Sequence, residues 1–222
     1  MRIGVISEGH ADRAVITNIL TGLVGIDSSD IEPLRPVDKK DETDKANADP
    51  LTFGGWGAVK QECETRKQID DFLAIEGHDY IVIHLDTAEA DQYGIEKPNK
   101  GDETYCLELR RRVIDLINGW LKKDMSNELL YAIAIEEIDA WILTIYEKKN
   151  SIKAAKPKEK LNSVLGRLKI DSTSNYENYL VISKSLSKEK DIQKGKFLDY
   201  NCSLNAFFEE VNAKILSKRN QE

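Results

Sequence analysis

The sequence predicts an α/β fold: a mainly parallel four-stranded sheet flanked by helices, with a small helical C-terminal extension. Three observations predict it. Short, almost wholly apolar runs recur at 3–7, 80–86 and 129–135, the signature of strands buried on both faces. Between them lie stretches with helical spacing of Leu, Ile and Val. Each of the three runs ends in an acid or leads straight into one: Glu8, Asp86 and Glu136.

The elements follow in order. Ile3-Gly4-Val5-Ile6-Ser7 reads as a strand, broken by Glu8-Gly9-His10. Asp12 is placed to cap a helix whose apolar positions are Ala14, Val15, Ile16, Ile19, Leu20 and Leu23. Residues 31–37 read as a second strand, confined to a sheet edge by Pro33 and Pro36. An acidic loop over 38–56 closes on Gly54-Gly55-Trp56-Gly57, and one helix is expected from Ala58 to Ile75. After the strand 80–86 comes a loop over 87–101 and a helix over 103–122. The strand 129–135 runs into Glu136-Glu137-Ile138-Asp139-Ala140-Trp141, which continues as a helix to Tyr146. The division expected is an α/β domain over 1–147 and a basic helical extension over 148–222 packed on it. That extension holds a basic linker to Lys160 and helices near 158–168, 176–187 and 203–216.

Composition bounds the function. The chain has 222 residues, 41% hydrophobic and 32% charged, with net charge −7. That balance suits a globular core and argues against binding a polyanion through bulk charge. The charge is unevenly placed. Residues 148–222 hold 16 basic against 9 acidic side chains, and the rest hold 16 against 30. No apolar run approaches the ~20 residues of a membrane span, and the N-terminal run is too short for a secretion signal. Cys63, Cys106 and Cys202 form no CxxC pair and no evident disulfide framework, so they read as small hydrophobes of a cytoplasmic protein. P-loop, GxSxG and HExxH motifs are absent.

The acids are the candidates for chemistry. In a parallel sheet the ends of all these strands share one edge, where ligands bind. Glu8 with Asp12, Asp86 with Glu89 and Asp91, and Glu136 with Asp139 would meet there. Carboxylates so gathered repel unless a cation lies between them. Hard oxygen donors suit Mg²⁺ or Mn²⁺, and such ions support phosphoryl displacement. Each acid taken alone also fits a helix cap or turn. His84, inside a strand, reads as a core histidine, and His10 as a turn residue. Trp56 is a stacking candidate or a cover over the core, and Trp141 reads as core.

Ile3-Gly4-Val5-Ile6-Ser7-Glu8-Gly9-His10-Ala11-Asp12 resembles the first motif of Toprim domains: an apolar strand, Glu-Gly, and an acid four residues after the Glu. Ile81-Val82-Ile83-His84-Leu85-Asp86 resembles the strand that leads into the Toprim Asp-x-Asp motif. The stretches at 54–57 and 136–141 resemble a bacterial Toprim-like family related to nucleases that accompany ATPases in phage defence. The resemblance covers roughly residues 1–146. It implies a Mg²⁺- or Mn²⁺-dependent nuclease of DNA or RNA, with a partner ATPase as a further implication. In it Glu8 is metal ligand and general base, and Asp12 holds the same ion. Asp86 and Glu136, with Asp139, hold another. A lysine of the C-terminal segment steadies the phosphate; Lys184, with Lys188 behind it, is the candidate. The Asp-x-Asp pattern calls for an acid where this chain has Ala88, so Glu89 or Asp91 substitutes or one metal position is weakened. Two other readings stand beside the nuclease. One is a non-catalytic Toprim-like module that binds a nucleotide or a partner ATPase. The other is a small phosphatase or phosphotransferase acting on a nucleotide.

Overall fold

The computed structural model describes residues 1–36, 55–152 and 154–217. Four strands form one sheet: β1 (Arg2–Ile6), β2 (Ile31–Arg35), β3 (His78–Asp86) and β4 (Leu129–Ala134). All pair in parallel, in the order β2-β1-β3-β4. Ile3 lies between Ile31 and Tyr80, and Ile83 lies beside Tyr131. The parallel α/β architecture expected from the apolar runs is therefore present, and β2 with Pro33 is an edge strand. The acidic loop expected over 38–56 lies outside the described residues, Gly55 and Trp56 excepted.

The sheet is buried on both faces, which is why its strands lack polar alternation. Ile3, Val5, Val82, Leu130 and Ala132 pack toward α1 (His10–Val24). Ile6, Ile81, Ile83, Leu85 and Ile133 pack toward α2 (Trp56–Thr65), α3 (Lys67–Leu73) and α4 (Tyr105–Leu121). Gly25 closes α1 in the left-handed conformation (φ 67°), where a side chain would be strained. The single helix expected over 58–75 is two. Arg66 takes φ 52° between α2 and α3, and Glu62 Oε1 accepts hydrogen bonds from the Gln68 and Ile69 amides. A carboxylate in the first helix thus caps the second, a long-reach cap that local spacing does not reveal.

The extension is no appendage. After α5 (Asp139–Glu147), the helix that follows β4, it comprises α6 (Pro157–Arg167), α7 (Tyr176–Ile182), α8 (Glu189–Gly195) and α9 (Cys202–Val211). Leu161, Leu165, Tyr179, Leu204, Phe207 and Phe208 join the same apolar cluster as β1 and α1. Trp141 of α5 is fully buried, stacks on Phe207 at 5.8 Å and donates its Nε1–H to Ser203 Oγ. The region after α9 and α9 itself also close the outer edge of β4. Glu210 Oε2 accepts from the Tyr131 amide, Lys214 Nζ donates to the Leu129 carbonyl, and Arg110 bridges the Tyr131 carbonyl and Glu210. An open strand edge is a template for unwanted pairing, and these side chains occupy it.

Two expectations need correction here. Cys106, in the first turn of α4, and Cys202, which opens α9, are joined by a disulfide; Cys63 is the buried free cysteine. Spacing in the chain hid this pair because 96 residues separate its members. Asp12 is not the cap of α1: that position is Gly9, and Asp12 sits within the first turn. Among the described residues no helix is long and apolar enough to cross a membrane.

Candidate metal centre

The chain leaves β1 on one side to make β2 and crosses to the other side to make β3. The winding therefore reverses between β1 and β3, and their carboxyl ends flank the crevice where open α/β sheets bind ligands. Glu8 lies just beyond β1, Asp86 ends β3, and Glu137 and Asp139 follow β4. These four, with Asp12, line one cleft of about 1110 Å³. His10, Arg13, Lys158, Asn175, Tyr176 and Tyr179 share that lining.

The acids are tied to the backbone and to one another's surroundings. The Asp86 amide donates to Glu8 Oε1 at 2.6 Å, so the end of β3 fixes the side chain that follows β1. The Ile138 amide donates to Asp86 Oδ1 at 2.9 Å, which fixes β3 against the turn after β4. The Tyr179 hydroxyl donates to Asp139 Oδ1 at 2.6 Å, so α7 holds the fourth acid. Each of these bonds occupies one carboxylate oxygen. His84 lies beneath the group, fully buried on β3. Its Nε2 is 3.2 Å from Asp86 Oδ1, yet the alignment is wrong for a hydrogen bond and neither ring nitrogen has a partner. A buried imidazole without a hydrogen-bond partner is costly, and His84 also opposes the effect of burial on Glu8 and Asp12. The expectation of a core histidine holds for its burial, but its polar atoms are not satisfied.

The electrostatics follow from burial and like charge. Desolvation, then the Asp86 carboxylate, raises Glu8 to about 7. Desolvation raises Asp12 to about 8, with His84 opposing and Asp86, Glu8 and Asp139 adding to the rise. Asp86 is held well above the usual carboxylate range by burial and by Asp139 and Glu137. Asp139 is raised by burial, against the Tyr179 hydrogen bond. Among the described residues no lysine or arginine is ion-paired with Glu8, Asp12, Asp86 or Asp139.

Other expected residues fall elsewhere. Glu136 does not line the acidic cleft. It has φ 65°, a conformation uncommon outside glycine, and its amide donates to Thr87 Oγ1. Its carboxylate takes Lys100 Nζ at 2.7 Å and Lys97 Nζ at 3.5 Å. It borders a smaller cavity of about 350 Å³ with Ala88 and Lys156. The left-handed turn swings Glu136 outward and brings Glu137 into the cleft, so Glu137 takes the place expected of its neighbour. Glu89 is exposed and lines neither cavity, although it is near enough to raise Glu8. Lys184 does not line the cleft either. It opens a 3₁₀ turn (Lys184–Ser187) packed on the far part of α1, where the Leu186 carbonyl approaches Gly22. Lys188 lies beyond it at the start of α8. Lys158 is the lysine in the cleft, held there because its own amide donates to Glu137 Oε2 at 2.9 Å. Trp56 opens α2 and covers the core against Tyr93. Glu137 and Lys158 were both visible in the sequence, but only the positive φ at 136 decides between adjacent acids.

Among the described residues, no group of three His, Cys, Asp or Glu side chains stands in a ready arrangement for a metal ion. The hydrogen bonds above direct one oxygen each of Glu8, Asp86 and Asp139 to two amides and a hydroxyl. The donor set is rich in oxygen and negatively charged, the kind of chemistry hard divalent cations take, with Lys158 and His84 as its positive neighbours. No protein-family model, no curated protein and no solved structure matches this chain.

Proposed function

We propose that this protein is a Mg²⁺- or Mn²⁺-dependent hydrolase of phosphodiester bonds in nucleic acid. One observation carries the reading: the carboxylates of Glu8, Asp12, Asp86 and Asp139 gather at the switch point of the sheet in one cleft, with His84 and Lys158 as positive groups beside them. The Toprim resemblance of residues 3–12 and 81–86 agrees with it. Glu8, Asp12, Asp86 and Asp139, with Glu137 at the rim, would hold the cation. When bound, the cation supplies counter-charge to a phosphate and acidifies a water molecule. Glu8, just beyond β1 in the cleft, would take the proton of the water that attacks phosphorus. The P–O bond to the leaving oxygen breaks as the new one forms. Lys158, in place of Lys184, sets its ammonium against the charge that builds on the phosphate oxygens.

A second reading is favoured by one feature. Ala88 stands where a second acid is called for, and Glu136 is neutralised by Lys97 and Lys100. A module that binds a nucleotide without cleaving it would tolerate both. Incubation of end-labelled DNA and RNA with the purified chain, with and without Mn²⁺, separates the two. Metal-dependent shortening of the strand supports the hydrolase; intact strands with retained binding support the module.

A further inference from the structure

Among the described residues that line the cleft, Tyr176 is the phenol ring open to a ligand. It is partly exposed, whereas Tyr179 is 1% exposed and spends its hydroxyl on Asp139. The Arg13 guanidinium lies 4.6 Å from the centre of the Tyr176 ring. Arg13 is itself 5% exposed, and its Nη1 donates to the Pro36 carbonyl. The ring is thus backed by an anchored cation, which limits its freedom and makes it a fixed platform. Tyr176 and Tyr179 are three residues apart on α7, hence on one face and separated by about 4.5 Å along the axis. The platform therefore stands one helical turn from the side chain that holds Asp139.

The depth of the acids limits what reaches them. Asp139 is 5% exposed and the Asp86 side chain 21%. Both lie in a cleft whose volume matches the upper range of small-ligand pockets. In a paired duplex the bases are turned inward and offer no free face to a ring, whereas a single strand can turn a base aside. Stacking on an aromatic ring is how proteins hold such bases without reading their sequence.

We infer that Tyr176, backed by Arg13, is a stacking subsite for one unpaired base, so that the cleft takes single-stranded nucleic acid and excludes the duplex. The inference rests on the hydrolase reading for its orientation toward the acids. The geometry gives no preference between DNA and RNA.

Binding of a fluorescent twelve-nucleotide strand, as DNA and as RNA, tests it by anisotropy with Ca²⁺ present. The same strand annealed to its complement, and a nucleoside monophosphate as competitor, complete the set. Expected is binding of the single strand at least tenfold tighter than of the duplex. Tyr176→Leu should weaken single-strand binding about tenfold, as loss of one stacked base does. Tyr176→Phe, which keeps the ring, should bind as wild type, and both variants should melt within a few degrees of it. Equal affinity for strand and duplex overturns the inference. So does an unchanged affinity in Tyr176→Leu, or a monophosphate that binds as tightly as the strand. Tyr176-dependent binding without cleavage in Mg²⁺ or Mn²⁺ would leave the subsite standing and remove the hydrolase. Cleavage of strand and duplex at equal rates by the wild type and by Tyr176→Leu alike would do the reverse.

Discussion

Two groups of acids in this molecule are treated in opposite ways. Glu210, 14% exposed, has Arg110 and Lys214 at 2.6 and 2.8 Å, and Glu136, 16% exposed, has Lys100 and Lys97. Glu62, 1% exposed, faces Arg35. Glu8, Asp12, Asp86 and Asp139 lie mainly among other acids, with His84 beside Glu8, Asp12 and Asp86 and Lys158 beside Asp86 and Asp139 as their positive neighbours. Buried charge is tolerated where a counter-charge and hydrogen bonds meet it. In the cleft, among the described residues, no lysine or arginine makes an ion pair with the acids, and on the proposed reading a cation would add the missing counter-charge. The contrast is between acids closed into ion pairs and acids gathered with few positive neighbours.

The sharpest way to break the comparison is to remove charge on each side of it. In the cleft, Asp86→Asn and Glu8→Gln should lower metal-dependent cleavage by about a hundredfold or more. The metal-free proteins should melt at or above the wild-type temperature, because repulsion is relieved. Cleavage rates and melting curves check both. At the β4 edge, Glu210→Gln should do the opposite. It strands Arg110 and Lys214 and weakens the hold on the Tyr131 amide, and should destabilise by about 1–3 kcal/mol. Cation binding should not change. Should Asp86→Asn destabilise the protein as much as Glu210→Gln does, the two groups of acids do not differ.

A change of pH sharpens the same contrast. Glu8 and Asp12 ionise near the ordinary carboxylate range when unfolded but at about 7 and about 8 when folded. The folded state therefore holds more protons between those limits. Their contribution to stability is fully present at pH 4 and below, and is lost as pH rises through 7 and 8. Without metal, the melting temperature should fall between pH 6 and pH 9. Mn²⁺ at a hundred times its dissociation constant should restore about 2.7 kcal/mol, with more of the gain seen at high pH. A metal-induced rise in melting temperature that is the same at pH 6 and pH 9 would contradict this.

The disulfide gives a comparable effect that leaves the cleft alone. It closes a long loop between α4 and α9, and its loss in Cys202→Ser should cost about 2–4 kcal/mol, with Mn²⁺ affinity unchanged. Denaturant melts with and without reductant measure it. The smallest effect expected is that of Lys158→Ala, a fall of about tenfold in cleavage, against no change for Lys184→Ala. Equal effects from the two lysines would return the role to the region around Lys184.

How much of this was legible in the sequence follows from how local each signal is. The strands were legible because a sheet covered on both faces favours apolar side chains, and Ile81 to Leu85 are apolar except for His84. Glu8, Asp12, Asp86 and Asp139 were legible because acids at the ends of parallel strands must share an edge. The choice of Glu137 over Glu136 was not, since one backbone angle at 136 reverses which of the two enters the cleft. The split at Arg66 depends on Glu62 reaching past a helix end. Lys158 and Tyr176 enter only through the packing of α6 and α7 against the sheet, and Cys106 meets Cys202 across 96 residues. Nothing in periodicity reports contacts of that range.

The central claim, that the cleft acids are a cation site, is tested most directly by titrating Mn²⁺ into the purified chain and following the free ion by electron paramagnetic resonance. Wild type and Glu136→Gln should bind Mn²⁺ with similar affinity, and Asp86→Asn should lose at least tenfold. Failure of the wild type to bind, or equal binding by Asp86→Asn, would contradict the account.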